Sequence, residues 1–285
     1  MTSSPPLGLL LDVDGPIASP VTRTIAIPSI VDDLVFLANS GVPVVFNTGR
    51  TDRFLRDHVV KPLLAAGLSP DARAFGVCEK GAVWFGLTMN NFDGIHIDQD
   101  LALPAPMTAD LKRLLESEFT RTMFWDEHKH AMASHEQRIG VDSDLFLLER
   151  DRFASAAFEL LDSQGVGVEL GDRRTAATPR VRIEPTIISV DIESVALGKD
   201  LGAKRALALL EDSGPIPRLW RTVGDSRSDY AMADYLHAEG FDVAHVDVRP
   251  AEGVPQKPYR IITEGDLVND AAGAAFLGFW RSQLS

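Results

Sequence analysis

The chain has 285 residues, room for one large domain or a domain with a sizeable insert, and enough to bury a core without disulfides or a structural metal. Its one cysteine, Cys78, excludes a disulfide framework and a cysteine-rich zinc site, and reads as a buried small hydrophobe. With 28 Lys and Arg against 41 Asp and Glu, the net charge of −13 repels a nucleic-acid backbone but admits a small phosphorylated ligand met by a metal ion and a few local cations.

No apolar run approaches the roughly 18 residues that span a bilayer. The first eight residues carry neither Lys nor Arg, and the apolar run after them soon meets Asp12. No membrane association and no signal peptide are expected, and the cytoplasm is the expected compartment.

The run Leu7-Gly8-Leu9-Leu10-Leu11 reads as a strand buried on both faces and ending in Asp12-Val13-Asp14-Gly15. Residues 29–40 form a predicted helix with Ile30, Leu34, Leu37 and Ala38 on one face and Gly41 as its stop. A second buried strand, 42–46, ends in Asn47-Thr48-Gly49-Arg50; a helix over 51–66 and a strand over 74–78 follow. Late in the chain the same alternation returns: helix 201–210, strand 219–223 ending in Gly224-Asp225-Ser226, helix 229–238, strands 243–248 and 260–263, and a helix from 267 to about 281. Between them lie helices at 108–120 and 147–163 and strands near 167–170 and 180–192. The expected architecture is α/β: a doubly wound, mostly parallel sheet over 1–87 and 194–285, interrupted by an inserted α/β cap domain over 88–193.

In such a sheet the carboxyl ends of neighbouring strands share one crevice, so polar clusters distant in sequence meet there. Asp12 and Asp14 follow the first strand, Thr48 the second, and Asp225 and Asp229 the strand after the insert; Lys199 begins the returning helix. Crowded Asp12, Asp14 and Asp225 need a cation, and an oxygen-only set with open positions favours Mg²⁺. A carboxylate held by that ion can attack phosphorus, Thr48 and Lys199 are donors of the type that bind the phosphoryl oxygens, and Asp14 suits the acid–base role.

These residues carry a resemblance. Asp12-Val13-Asp14-Gly15, Asn47-Thr48-Gly49-Arg50, Lys199 and Gly224-Asp225-Ser226-Arg227-Ser228-Asp229 resemble, in order, the four motifs of the haloacid dehalogenase (HAD) superfamily. The Thr-Gly-Arg and the position of the insert resemble its class IIB, which includes Cof-type, sucrose-, trehalose- and mannosylglycerate-phosphate phosphatases. The resemblance implies a Rossmann-like core with an α/β cap and a Mg²⁺-dependent phosphatase acting on a sugar phosphate or similar small ester. It implies Asp12 as nucleophile and Asp14 as acid–base, and Thr48, Gly49 and Lys199 as phosphate binders. Asp12, the Asp14 carbonyl and Asp225 would hold the metal, supported by Asp229, Ser226 and Arg50. Lys199 is preferred to Lys204 because Lys199-Asp200-Leu201-Gly202 resembles the Lys-x-x-Gly form of the third motif. Two departures stand out: Pro16 replaces the usual Thr or Val, and Glu79-Lys80-Gly81 occupies the place of an Asn-Gly, which puts Lys80 forward as a phosphate or sugar contact. A phosphomannomutase-like phosphotransferase and a non-catalytic binding protein share the same pattern and remain alternatives.

Other features read more plainly. His128, His130 and His135 lack the spacing of a zinc site and read as solvated cap surface or substrate contacts. Arg173, Arg174, Arg180 and Arg182 read as a solvated basic face, with recognition of a second anionic group as the alternative. Leu145, Leu148, Phe153, Phe158 and Leu161 read as cap core. The oligomeric state is not legible.

Overall fold

In the computed structural model, which describes residues 5–250 and 253–285, the first apolar run becomes strand β1 (Gly8–Leu11), buried along its whole length. Helix α1 (Pro28–Asn39) opens on a proline, whose missing N–H costs nothing at the first helical position, and buries Ile30, Leu34, Leu37 and Ala38 as the periodicity predicts. It leads into β2 (Val44–Asn47). The single helix expected over 51–66 is instead α2 (Asp52–Leu55), a π turn (Arg56–Val60) and α3 (Lys61–Ala65). Pro62 is the reason: it has no N–H to donate and its ring would crowd a carbonyl one turn back, which the wider π turn relieves. Strand β3 (Ala74–Cys78) then folds back on β4 (Val83–Gly86), antiparallel, and β5 (His96–Ile97) follows at the sheet edge. Neither β4 nor β5 was expected.

The chain separates into two compact units, Met1–His96 with Gly198–Ser285, and Ile97–Leu197. These borders fall later than 87/88 and 193/194. Leu87 still donates to the Ala74 carbonyl at 2.9 Å, and Phe92 packs edge-on against Phe85, so the segment after β4 stays with the first unit.

Within the second unit, α4 (Ala105–Glu118) and α5 (Ser143–Ser163) pack on a six-stranded sheet. Its strands are β6 (Met123–Trp125), β7 (Ala133–Gln137), β8 (Val168–Leu170), β9 (Arg173–Arg174), β10 (Val181–Pro185) and β11 (Ser189–Ser194), in the order β6-β7-β11-β10-β8-β9. The strand expected over 180–192 is thus a hairpin, turned at Thr186, whose hydroxyl oxygen accepts the N–H groups of Ile188 and Ser189. Leu145 and Leu148 are not core, being 47% and 61% exposed. With Asp142 as N-cap, the inward face of α5 runs through Phe146, Phe153, Ala157 and Leu161. His135 is not surface either: it is fully buried against Phe153 and Trp125, its Nδ1–H donating to the Val190 carbonyl at 3.1 Å. His128 and His130 are exposed. Three of the four arginines meet carboxylates, Arg173 with Glu159, Arg174 with Glu169 and Arg182 with Glu193.

The returning segment supplies α6 (Lys199–Ser213), β12 (Leu219–Gly224), a 3₁₀ turn (Arg227–Asp229), α7 (Tyr230–Ala238), β13 (Asp242–Asp247), β14 (Arg260–Ile262) and α8 (Asn269–Leu284). The eight-stranded sheet runs β14-β13-β12-β1-β2-β3-β4-β5 and is parallel from β14 to β3. Leu10 and Val45 pack with Leu207 of α6 and Leu236 of α7. Leu9, Leu11 and Phe46 alternate to the opposite face and are equally buried. Helices α1 and α8 pack on one another, tied by Arg281 to Asp33 at 2.8 Å. From β1 the chain winds outward through β2 and β3, then resumes on the other side at β12. The crevice at that reversal, at the carboxyl ends of β1 and β12, is where this architecture places a site.

Candidate active site

Asp12 leaves β1 with its N–H bonded to the Val223 carbonyl of β12 at 2.8 Å, so it starts at the reversal point itself. The loop beyond closes tightly: the Ile17 and Ala18 N–H groups share the Val13 carbonyl, and Gly15 N–H donates to Ala18. Gly15 has φ +94°, and a β-carbon there would lie 2.7 Å from Asp225 Cβ. Glycine is therefore what lets the Asp14 and Asp225 loops touch. Pro16 removes an N–H from this loop, yet its carbonyl packs so tightly on α8 that a β-carbon at Gly273 would lie 1.9 Å away.

Lys199 is the first residue of α6 and is nearly buried. Its ammonium donates to Asp12 Oδ1 at 2.6 Å and to the Asn47 carbonyl at 2.8 Å, and forms an ion pair with Asp229 Oδ1 at 2.6 Å. Burial alone would lower this ammonium's pKa, but Asp12 and Asp229 together hold it above the ordinary lysine value. Lys204 is exposed on the same helix. The start of α6 is fixed by Asn47, whose amide donates to the Lys199 carbonyl at 2.9 Å. The approach requires Gly202, where a β-carbon would lie 2.0 Å from Asn47 Oδ1.

Asp229 is fully buried, and its Oδ2 accepts from Ser226 Oγ at 2.8 Å and from the Ser226 and Asp225 N–H groups at 2.9 and 3.1 Å. Burial opposes its charge, but Lys199 and these donors hold its carboxyl below the usual range. Asp12 goes the other way: burial, reinforced by Asp229 and Asp14, raises its carboxyl well above the usual range in spite of Lys199. Asp225 is likewise raised, to about 6, by burial and then by Asp229, with Arg249 3.4 Å away partly offsetting both.

Asp12, Asp225 and Asp229 each present one carboxylate oxygen within 4.8 Å of the others. Lys199 is shared between Asp12 and Asp229, and Arg249 meets Asp225 only at 3.4 Å, so three carboxylates crowd against two cations, one of them at long range. An oxygen-only, over-negative cluster fits a hard divalent cation such as Mg²⁺. The Asp14 side chain lies apart from this cluster, gripped by Arg50 through Nε–H to Oδ2 and Nη2–H to Oδ1, both 2.9 Å.

The second loop adjoins this cluster. Thr48 is buried, with its N–H on the Val77 carbonyl and its Oγ1 accepting the Arg50 N–H at 3.0 Å. Lys80 lies beside it: its N–H donates to the Thr48 carbonyl at 3.1 Å, and its stem runs along Gly49. The expected residues Asp12, Lys199, Asp225, Asp229 and Ser226 thus meet directly. Thr48, Gly49, Arg50 and Lys80 form an adjoining loop pair, joined to them through Asn47 and through Asp14. Sequence reasoning assigned no role to Asn47, Gly202 or Arg249. Asn47 stood at a strand end beside Thr48, which was a usable signal; Arg249 follows β13 in a segment with no motif.

No protein-family model matches the chain, and no curated protein matches its sequence. Solved structures do match its fold. The C-terminal domain of trehalose-6-phosphate phosphatase from C. albicans aligns with a TM-score of 0.66 at 13% identity, over 99% of this chain and 94% of that one. A haloacid dehalogenase-like hydrolase from Bacteroides thetaiotaomicron aligns at 0.62 and 12% identity, over 96% and 98%. The sucrose-phosphatase of Synechocystis, solved with sucrose and phosphate, aligns at 0.51 and 14%, also over 96% and 98%. The chain shares the fold of the haloacid dehalogenase-like hydrolases over nearly its whole length. No helix among the described residues is long and apolar enough to cross a membrane.

Proposed function

We propose that this chain is a Mg²⁺-dependent phosphomonoesterase that works through an aspartyl phosphate on Asp12. The observation that carries the reading is the buried run Asp12–Lys199–Asp229 at the β1/β12 reversal, with Asp225 alongside. A structural ion pair has no use for surplus carboxylates there, whereas phosphoryl transfer needs a nucleophile, a cation and a place for a dianion. Sugar phosphates or similar small esters are the proposed substrates, supported by the fold shared with trehalose-6-phosphate phosphatase and sucrose-phosphatase.

Asp12, the Asp14 carbonyl and Asp225 would hold the Mg²⁺, with Asp229 behind them; the ion would supply positive charge beside the phosphoryl oxygens. Lys199 holds Asp12 in place and adds a second positive charge. Asp12 forms a bond to phosphorus as the ester P–O bond breaks, and Asp14 gives its proton to the departing oxygen. Asp14 must let go of one Arg50 N–H to do so. Thr48 Oγ–H and Gly49 N–H are the donors for the phosphoryl oxygens. In the second half, Asp14 takes a proton from water, the water oxygen bonds to phosphorus, and the bond to Asp12 breaks, releasing phosphate.

The test is phosphate release from hexose phosphates, disaccharide phosphates and nucleoside monophosphates, with Mg²⁺ and with excess EDTA. Metal-dependent release concentrated on sugar esters is the expected result. Silence on every ester by folded protein in Mg²⁺ would overturn the reading.

A further inference from the structure

Away from the proposed active site, the first unit carries a cavity of about 490 Å³ between the helical segment after β2 and the chain leaving β4. Its wall includes Arg56 and Val60 of the π turn, Leu64 of α3, and Phe85, Leu87 and Thr88. Leu87 N–H donates to the Ala74 carbonyl at the amino end of β3, so the cavity lies at the opposite end of the sheet from Asp12. A volume of this size, mostly apolar walls and a few polar groups are the usual properties of a small-molecule site. The wall is built in advance. Asn91 and Phe92 N–H groups close a turn on the Thr88 carbonyl at 3.1 and 2.8 Å, and the Asn91 amide donates to the Ala72 carbonyl at 2.8 Å. Gly86 admits that turn, since a β-carbon there would lie 2.2 Å from the Asn91 carbonyl oxygen.

Two buried polar atoms of residues on this wall have no hydrogen-bond partner among the described residues, Arg56 Nε and Thr88 Oγ1. Thr88 is only 1% exposed. A hydroxyl buried without a partner is costly, and valine would fill nearly the same space without that cost. Both groups can donate, so what they lack is an acceptor. The charged residues of the wall are both cations, Arg56 and Lys61; the carboxylates they pair with, Asp52 at 3.0 Å and Asp57 at 2.6 Å, line no part of it. In a chain of net charge −13, a wall with only positive charges favours an anion. We infer that the cavity binds a small amphipathic molecule, a medium-chain carboxylate. Its apolar body lies on Val60, Leu64, Phe85 and Leu87, and its carboxylate accepts from Arg56 Nε–H and Thr88 Oγ–H. No residue of this wall belongs to the phosphatase machinery, so the inference stands independently of the function proposed above.

The experiment titrates octanoate, 1-octanol and butyrate into the full chain by calorimetry, for wild type, Thr88→Val and Leu64→Glu, alongside thermal unfolding. Wild type should bind one octanoate per chain, and 1-octanol and butyrate each roughly tenfold more weakly. Thr88→Val should unfold no earlier than wild type yet lose about tenfold in octanoate affinity, because the unpaired hydroxyl leaves together with the hydrogen bond it offers. Leu64 is 44% exposed, so Leu64→Glu should fold normally while its carboxylate repels octanoate. No octanoate binding by folded wild type, equal affinity in either variant, or octanol bound as tightly as octanoate would each overturn the inference. So would a dimer that Leu64→Glu disperses with no octanoate bound, which would assign this face to a second copy of the chain.

Discussion

Arg50 and Asp14 face each other through two parallel hydrogen bonds of 2.9 Å, the fork of the guanidinium matched to both oxygens of the carboxylate. The guanidinium also lies over the Phe54 ring, 4.8 Å from its centroid, which leaves Asp14 little freedom while the pair is closed. Arg50 is thereby a positioning residue for the proposed acid–base group. Arg50→Ala should lower kcat roughly 10- to 100-fold with a smaller effect on KM, since a misplaced proton donor slows chemistry more than binding. Arg50→Lys should recover only part of the loss, because an ammonium cannot grip both oxygens. Steady-state kinetics on the two variants decides this.

Removing Lys199 leaves two buried carboxylates facing one another. Lys199→Met should abolish turnover and lower stability by about 3–5 kcal/mol, read from urea unfolding in EDTA. Adding Mg²⁺ should restore part of that stability, since a cation bound only by the folded state shifts the equilibrium toward it. Stability equal to wild type in EDTA would contradict the assigned ion-pair chain.

Gly15 is asked for twice, by its φ of +94° and by the 2.7 Å approach of Asp225 Cβ. Gly15→Ala should lower stability by about 1–3 kcal/mol and push the Asp225 loop away from Asp12, with turnover falling accordingly. Denaturant melts and phosphate-release assays on this variant check both effects.

His135 gives the second unit a sensitivity to acid. Burial, stronger than its bond to the Val190 carbonyl, lowers its imidazole from 6.5 to about 4. Between those values the unfolded chain binds the proton that the folded chain refuses, so stability is intact above pH 6.5 and drains away as the pH falls toward 4. The loss from this group is about 3 kcal/mol. His135→Gln should flatten that part of the profile, measured as urea midpoints of the full chain at several pH values across the window.

Much of this architecture was legible because local signals agreed with the fold. The doubly buried strands were readable as unbroken apolar runs, and α1 as a single apolar stripe closed by Gly41. Asp12, Lys199 and Asp225 were readable because chemistry-bearing residues stood at strand ends and at a helix start. The π turn before Pro62 was not readable, since it answers a steric conflict that no periodicity encodes. Nor was the inward face of α5: Leu145 and Phe146 are equally apolar, and only the N-cap at Asp142 decides which points inward. His135 looked like surface because it was read together with the polar run Glu127-His128-Lys129-His130; its strand pairs with Val190, which buries it. Asn47 and Gly202 were missed as a pair because their relation is a contact between distant segments.

The proposed mechanism stands or falls on Asp12. The most direct measurement is acid quench of the protein turning over a sugar phosphate in Mg²⁺, followed by borohydride reduction, which converts an aspartyl phosphate to homoserine with release of phosphate, and mass spectrometry of the peptide that carries Asp12. Conversion of Asp12 to homoserine is expected in wild type, and neither that product nor turnover in Asp12→Asn. Full turnover by Asp12→Asn, or homoserine formed from a different aspartate, would contradict the proposed mechanism.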